Sequence, residues 1–248
     1  MTTITSRAGC FTSSSIYKLM TDDKKGGIGK PGLTYIETKR RELLLGRQME
    51  QQKTFRSAAW GTMLQHRVLN LMLGMEYKPM SDKRFAHNEL PWNGSPDFVA
   101  GDRAGDVKCF ELDNFTYTHD AASAGIEKFK DDCPEIYWQL VSNAVLCGVA
   151  KVELVLYVPY KDELSVIRSE EEWSKILTPD QFDNKDFKWW INSLTFMSDD
   201  ELPYLIPGKH YKNLSSFVFD VPELDAIHLT TRVKMASAKL INPRSANP

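Results

Sequence analysis

Apolar positions along this chain switch between a helical and a two-residue period, and the switches mark out its elements. Ser13, Ser14 and Ser15 precede Ile16, Tyr17, Leu19 and Met20, which predicts a short helix with a serine cap. A Gly- and Lys-rich stretch over 22–32 predicts a loop. From Leu33 to about Met49, apolar residues at 33, 36, 43, 44 and 45 surround a basic middle and predict a helix. Trp60, Met63, Leu64, Val68, Leu71 and Met72 predict a second helix over 57–73, closed by Gly74. Residues 84–90 predict an edge strand. Two runs, 97–100 and 106–112, flank the turn-rich 101–105 and predict a hairpin. Pro134 opens a helix that runs to Leu146 and is stopped by Gly148. Val152–Val158 then predicts a buried strand broken by Pro159, and Leu164–Ile167 a further strand.

The remainder, about 169–240, predicts mainly helix, with Phe187, Trp189, Trp190, Ile191 and Leu194 as a large apolar surface. Packing against the core or a neighbouring subunit is its simplest use, ahead of stacking on bases. The element order predicts one α/β domain, a mixed β-sheet flanked by helices. Its core spans about 7–168 and a helical C-terminal extension about 169–248.

Composition changes this picture little. The 248 residues are 42% hydrophobic and 26% charged, an ordinary globular balance. A net charge of −2 argues mildly against nucleic acid as a partner, although local patches outweigh the total. Lys24, Lys25 and Lys30, and then Lys39, Arg40, Arg41 and Arg47, form such patches; each is also an ordinary solvated loop or helix face. Cysteines at 10, 109, 133 and 147 show neither CxxC spacing nor a disulfide framework, and are read as reduced and non-ligating. Met1–Ser15 is polar and no run is apolar enough to span a bilayer, so the expectation is a cytoplasmic protein without a membrane partner.

Chemistry concentrates in Gly94-Ser95-Pro96-Asp97 and Asp106-Val107-Lys108. Alternation along a strand puts Asp106 and Lys108 on one face and Val107 on the other. Two carboxylates and a lysine on adjacent strands can hold Mg²⁺ against a phosphodiester. Taken alone, the same residues also describe a charged surface hairpin.

The pattern resembles that of the PD-(D/E)xK nucleases, and the flanking motifs resemble the lambda exonuclease/YqaJ branch over roughly residues 7–158. Arg7, Thr12 and Ser14 match an Arg and Thr-x-Ser ahead of a helix; Ser95-Pro96-Asp97, Asp106-x-Lys108-Cys109 and Gln139 follow in the family's order. The resemblance implies a restriction-endonuclease-like core and a Mg²⁺-dependent 5′→3′ exonuclease on double-stranded DNA ends, with Mn²⁺ able to substitute. It implies Asp97, Asp106 and the Val107 carbonyl as metal ligands, Lys108 as the catalytic lysine, and Gln139 orienting water or lysine. Arg7, Ser14 and Ser95 would hold the 5′-phosphate. For Ser14 a plain helix cap remains open, and for Arg7 a terminal residue without a role. A homotrimer and a single-strand annealing protein are the implied partners, in phage-type recombination within the bacterial host cell. Some relatives of the RecB nuclease group carry an iron–sulfur cluster, but the three later cysteines here are too far apart for one.

One position departs from the family. Where a metal-facing Glu is expected four residues after Gly61, this chain has Gln65, followed by His66. A natural variant using Gln65 or His66 through water, a recruited carboxylate such as Glu89, and an inactivating Glu→Gln substitution all fit; His66 also reads as an ordinary helix-face residue. Two other functions therefore stay open: a structure- or site-specific endonuclease on the same core, and a catalytically weakened nuclease-like DNA-binding protein.

Overall fold

The structure, a computed structural model, describes residues 8–49, 56–80, 83–169, 189, 192–193 and 196–241. Strand β1 (Phe11–Thr12) runs directly into a 3-10 helix, Ser13–Met20. Its N-cap is Thr12, with no side-chain cap, so the serine cap expected from the sequence is not made. Helix α1 (Lys30–Leu45) starts earlier than its apolar pattern because Pro31 fits the first turn, where backbone N–H groups have no helical acceptor. Helix α2 (Arg56–Arg67) widens into a π-helical turn, Val68–Met72.

Three short strands follow: β2 (Lys78–Pro79), β3 (Phe85–Ala86) and β4 (Trp92–Gly94). The expected hairpin is present as β5 (Phe98–Ala100) and β6 (Arg103–Lys108). Its second strand ends at Lys108, not Leu112. Leu112 instead opens α3 (Leu112–Ser123), which with α4 (Ile126–Asp132) was not predicted. The signal existed: Phe115, Thr118, Ala121 and Ala122 form one buried helical face. Helix α5 (Pro134–Cys147) matches expectation, ended by Gly148 at φ 69°.

Strand β7 (Lys151–Tyr157) also matches. Residues Leu164–Ile167 form a single helical turn, α6, and not a strand. A four-residue apolar run is ambiguous, and the Glu163 carboxylate accepting the Tyr160 N–H at 2.8 Å sets a helical start. Within the stretch expected to be mainly helical, Leu214–Asp220 forms strand β8, before the closing helix α7 (Glu223–Ile241). Phe217 and Phe219 alternate with more exposed residues there, the period of a half-buried strand. Of the expected aromatic surface, Trp189 is 61% exposed, and Phe187, Trp190, Ile191 and Leu194 lie outside the described residues.

The main sheet has the order β2-β5-β6-β7-β8, with β6 and β7 parallel and the other pairs antiparallel. A smaller sheet, β1-β4-β3, pairs β1 parallel to β4. This is the expected mixed sheet flanked by helices. Strand β7 is buried on both faces. Val152, Leu154 and Leu156 join one core with α1, α5, α7 and the 3-10 helix. Val155 and Tyr157 join the other with Phe98, Val107 and α2. Helix α5 is therefore central: it bridges β6 to β7 and lies against the first of these cores.

Candidate active site

Strand pairing brings the two carboxylates together. Phe98 pairs with Gly105, so one step further along the register Asp97 faces Asp106. The Asp97 carboxylate accepts the Val107 N–H at 2.8 Å. Asp106 is fully buried, while Val107 turns its side chain into the core on the opposite face. Lys108, on the same face as Asp106, places Nζ 3.7 Å from the Asp106 carboxylate. Helix α5 delivers Gln139, whose Oε1 accepts from Lys108 Nζ at 3.2 Å. One turn later Asn143, which sequence reasoning missed, donates from Nδ2 to Asp106 at 3.2 Å. Gln65 on α2 hydrogen-bonds the Asp97 carboxylate.

Electrostatics mark this cluster off. Burial, reinforced by the Asp106 charge, pushes the Asp97 carboxyl from 3.8 up to about 7, against the pull of Lys108, the Val107 N–H and the Gln65 amide. Burial also raises Asp106, with Lys108 opposing. Its Oδ2 is buried without a hydrogen-bond partner. That oxygen faces Lys108 Nζ at 3.7 Å. Two adjacent carboxylates whose burial disfavours their own charge are oxygen ligands of the kind a hard cation takes. Among the described residues no group of three His, Cys, Asp or Glu side chains converges to hold a metal. Glu89 is exposed before β4, its amide donating to His87 Nδ1 at 3.1 Å, and so does not supply the third carboxylate. His66 is buried. All four cysteines are free thiols. Burial pushes the Cys147 thiol up to about 12, and Cys109 is driven up as well.

Two of the three end-binding candidates, Ser14 and Ser95, are among the described residues. Parallel pairing of Thr12 with Asn93 brings Ser13 and Ser14 alongside Gly94 and Ser95. Ser14 is exposed and its hydroxyl lies 3.5 Å from Thr12 Oγ1; it caps nothing, because Thr12 holds the N-cap position. Ser95 is half-buried. Ser13 Oγ pairs with Ser142 Oγ at 2.8 Å, and Ser142 accepts from Trp92 Nε1 at 2.9 Å. A Cβ at Gly94 would come within 2.0 Å of Ser13 Oγ and 2.7 Å of Asn143 Oδ1, so only glycine allows this approach. Arg7 lies outside the described residues.

The basic patches divide. Lys24, Lys25 and Lys30 are exposed. Lys39 is buried against Glu42 at 2.9 Å, and Arg40 and Arg41 both bond Glu37. Glu42 also accepts the Gly9 N–H at 3.0 Å, tying the incoming chain to α1. Two carboxylates thus offset three cations in the middle of α1, and one positive charge remains in excess.

No protein-family model and no curated protein matches the sequence. Solved structures do. The chain resembles LHK-Exo in complex with dAMP at TM-score 0.60 and 14% identity, covering 96% of this chain and 90% of that one. LHK-Exo, an alkaline exonuclease from Laribacter hongkongensis, also matches in a second structure at TM-score 0.59 and 14% identity, with the same coverage. A phage-related exonuclease from Haemophilus somnus 129PT matches at TM-score 0.58 and 12% identity over 95% of each chain. The chain thus shares the fold of these exonuclease structures, as the sequence motifs implied.

Proposed function

We propose that this chain is a Mg²⁺-dependent 5′→3′ exonuclease on double-stranded DNA ends, leaving 3′ single strands for an annealing protein. The observation that carries this reading is the convergence of Asp97, just before β5, with Asp106 and Lys108 from β6 and Gln139 from α5. Asp97, Asp106 and the Val107 carbonyl would hold the cation, with Mn²⁺ as a substitute. A divalent cation there supplies Lewis-acid stabilisation of the phosphate and lowers the pKa of its water. Lys108, held by Gln139, places a positive charge where the attacked phosphate gathers negative charge. Gln139 in turn fixes the lysine's direction. Asp97 and Asp106 carry the ionisation that a cation demands, at a site whose burial opposes it without one.

Ser14, Ser95 and Arg7 form the proposed 5′-phosphate pocket. The exposed Ser14 hydroxyl, held only by a long 3.5 Å contact to Thr12 Oγ1, lies in the uncapped first turn of the 3-10 helix and suits an anion, since the N–H groups there have no helical acceptor. The fold neighbour LHK-Exo has been seen with dAMP, a nucleoside monophosphate, which supports end-directed hydrolysis. A homotrimer, an annealing partner and a cytoplasmic setting in phage-type recombination belong to the same reading. A second reading, a weakened nuclease-like DNA-binding protein, is favoured by one observation: an amide, Gln65, stands against Asp97 in place of a third carboxylate.

Duplexes carrying 5′-phosphate or 5′-hydroxyl ends, and a closed circle, incubated with Mg²⁺ decide between these. The exonuclease releases mononucleotides from 5′-phosphorylated ends and leaves the circle intact. Arg7→Ala and Ser14→Ala should reduce the preference for the phosphate. Cutting of the circle would replace this reading with an endonuclease. Duplex binding without cleavage in either Mg²⁺ or Mn²⁺ would leave the binding protein.

A further inference from the structure

We infer that Asn143 is a positioning residue that fixes the metal-binding orientation of Asp106, an inference that rests on the metal site proposed above. Helix α5 reads strand β6 with two side chains. Gln139 takes Lys108 at 3.2 Å, and Asn143 takes Asp106 at 3.2 Å. The match is geometric. Four helical residues rise about 6 Å, and two strand residues span roughly 6.6 Å. A helix lying along the strand can therefore hold an Asp-x-Lys pair with a Gln-x-x-x-Asn pair, one rung each.

Asn143 satisfies one oxygen of Asp106 only. Its Nδ2 engages Oδ1, while Oδ2 remains buried and without a hydrogen-bond partner. That division fixes the carboxylate plane and turns Oδ2 toward Lys108 Nζ, 3.7 Å away, and toward the proposed cation. Asn143 itself is fully buried, and its own Oδ1 has no hydrogen-bond partner. A buried amide with half its capacity unmet is unfavourable for the fold, because desolvation is not repaid. Its neighbours Leu140, Val141 and Ala144 are apolar, so packing alone would be served by an apolar side chain. Ser142, the preceding residue, is equally buried, but its bonds go to Ser13 and Trp92 and not to the carboxylates. The two adjacent positions thus separate holding the metal ligand from holding the scaffold.

Titration calorimetry with Mn²⁺ alone, at fixed pH and without DNA, tests this on the parent, Asn143→Leu, Asn143→Ala and Ser142→Ala, with circular dichroism confirming each fold. Leu keeps the branched shape without the donor, and Ala guards against overpacking by Leu. Both Asn143 variants should bind Mn²⁺ about 10–100-fold more weakly, the usual range when the hydrogen bond behind a metal ligand is lost. Ser142→Ala should lower the melting temperature but leave Mn²⁺ affinity within about threefold of the parent, a threshold well below that range. Asn143 variants with unchanged or tighter Mn²⁺ binding would overturn the inference, as would a Ser142→Ala loss of equal size. A parent that binds no Mn²⁺ overturns the metal reading, and this inference with it.

Discussion

Removing the charge at Asp97 should make the metal-free protein more stable, and increasingly so as pH rises. Burial and the facing Asp106 push the Asp97 carboxyl from 3.8 up to about 7. A carboxyl raised in the folded state contributes stability that is fully present below its unfolded pKa and lost as pH rises through its folded pKa. The window is therefore pH 4 to 7. At about 1.4 kcal/mol per pH step, the penalty is roughly 1.5 kcal/mol at pH 5 and roughly 4 kcal/mol at pH 8. Asp97 is half-buried, so solvent screening brings the expected gain for Asp97→Asn at pH 8 to about 2–3 kcal/mol. An Asn at this position can still accept the Val107 N–H through its carbonyl.

Urea unfolding of parent and Asp97→Asn at pH 5, 6, 7 and 8 in EDTA measures the difference directly. The gain should grow across the series. Saturating Mn²⁺ should raise the stability of the parent at pH 8 and leave the variant almost unmoved, because a ligand stabilises only the state that binds it. A stability difference that stays flat from pH 5 to 8, or a variant less stable than the parent at pH 8, would refute the view of Asp97 and Asp106 as a charge-strained pair.

Three further outcomes follow from the same geometry. Lys108→Ala should lower cleavage at least about 10²-fold while duplex binding, read by fluorescence anisotropy, stays near the parent's, since the lysine charge matters most in the transition state. Gln65→Glu places a third carboxylate against Asp97, so calorimetry should show tighter Mn²⁺ binding, and cleavage should rise by about 10²–10³ if the amide is what weakens the site; a variant slower than the parent would mean a site built around the amide. Gly94→Ala drives a methyl against Ser13 and Asn143 and should cost about 1–3 kcal/mol in urea unfolding, as overpacking of a filled interior does.

What the sequence made legible was set by how local each feature is. Asp97, Asp106 and Lys108 share one hairpin, so alternation along a strand was enough to put them on a common face. Strand β7 and helix α5 were legible for similar reasons, an unbroken apolar run in one and a Pro-to-Gly frame in the other. Strand β8 escaped because its alternation is short, with Phe217 and Phe219 separated by the apolar Val218, and its place is fixed by pairing with β7, more than fifty residues earlier. Helix α3 escaped because its buried face is built largely from Thr and Ala, which carry a weak apolar signal, and α4 because it spans two turns with a single buried residue, Phe129.

Asn143 shows the same rule at the site. Nothing next to it in the chain names its partner; the contact exists because the β6–α5–β7 crossover lays the helix along the strand that carries Asp106. Once that crossover is known, the spacing is diagnostic. A Gln and an Asn four apart on the crossover helix match an Asp and a Lys two apart on the strand before it, because the two rises nearly coincide. Gln139 was reached only through family resemblance, yet this spacing argument would have found Gln139 and Asn143 together. The fold therefore supplies the reason that one helix can address both the carboxylate and the lysine of the site.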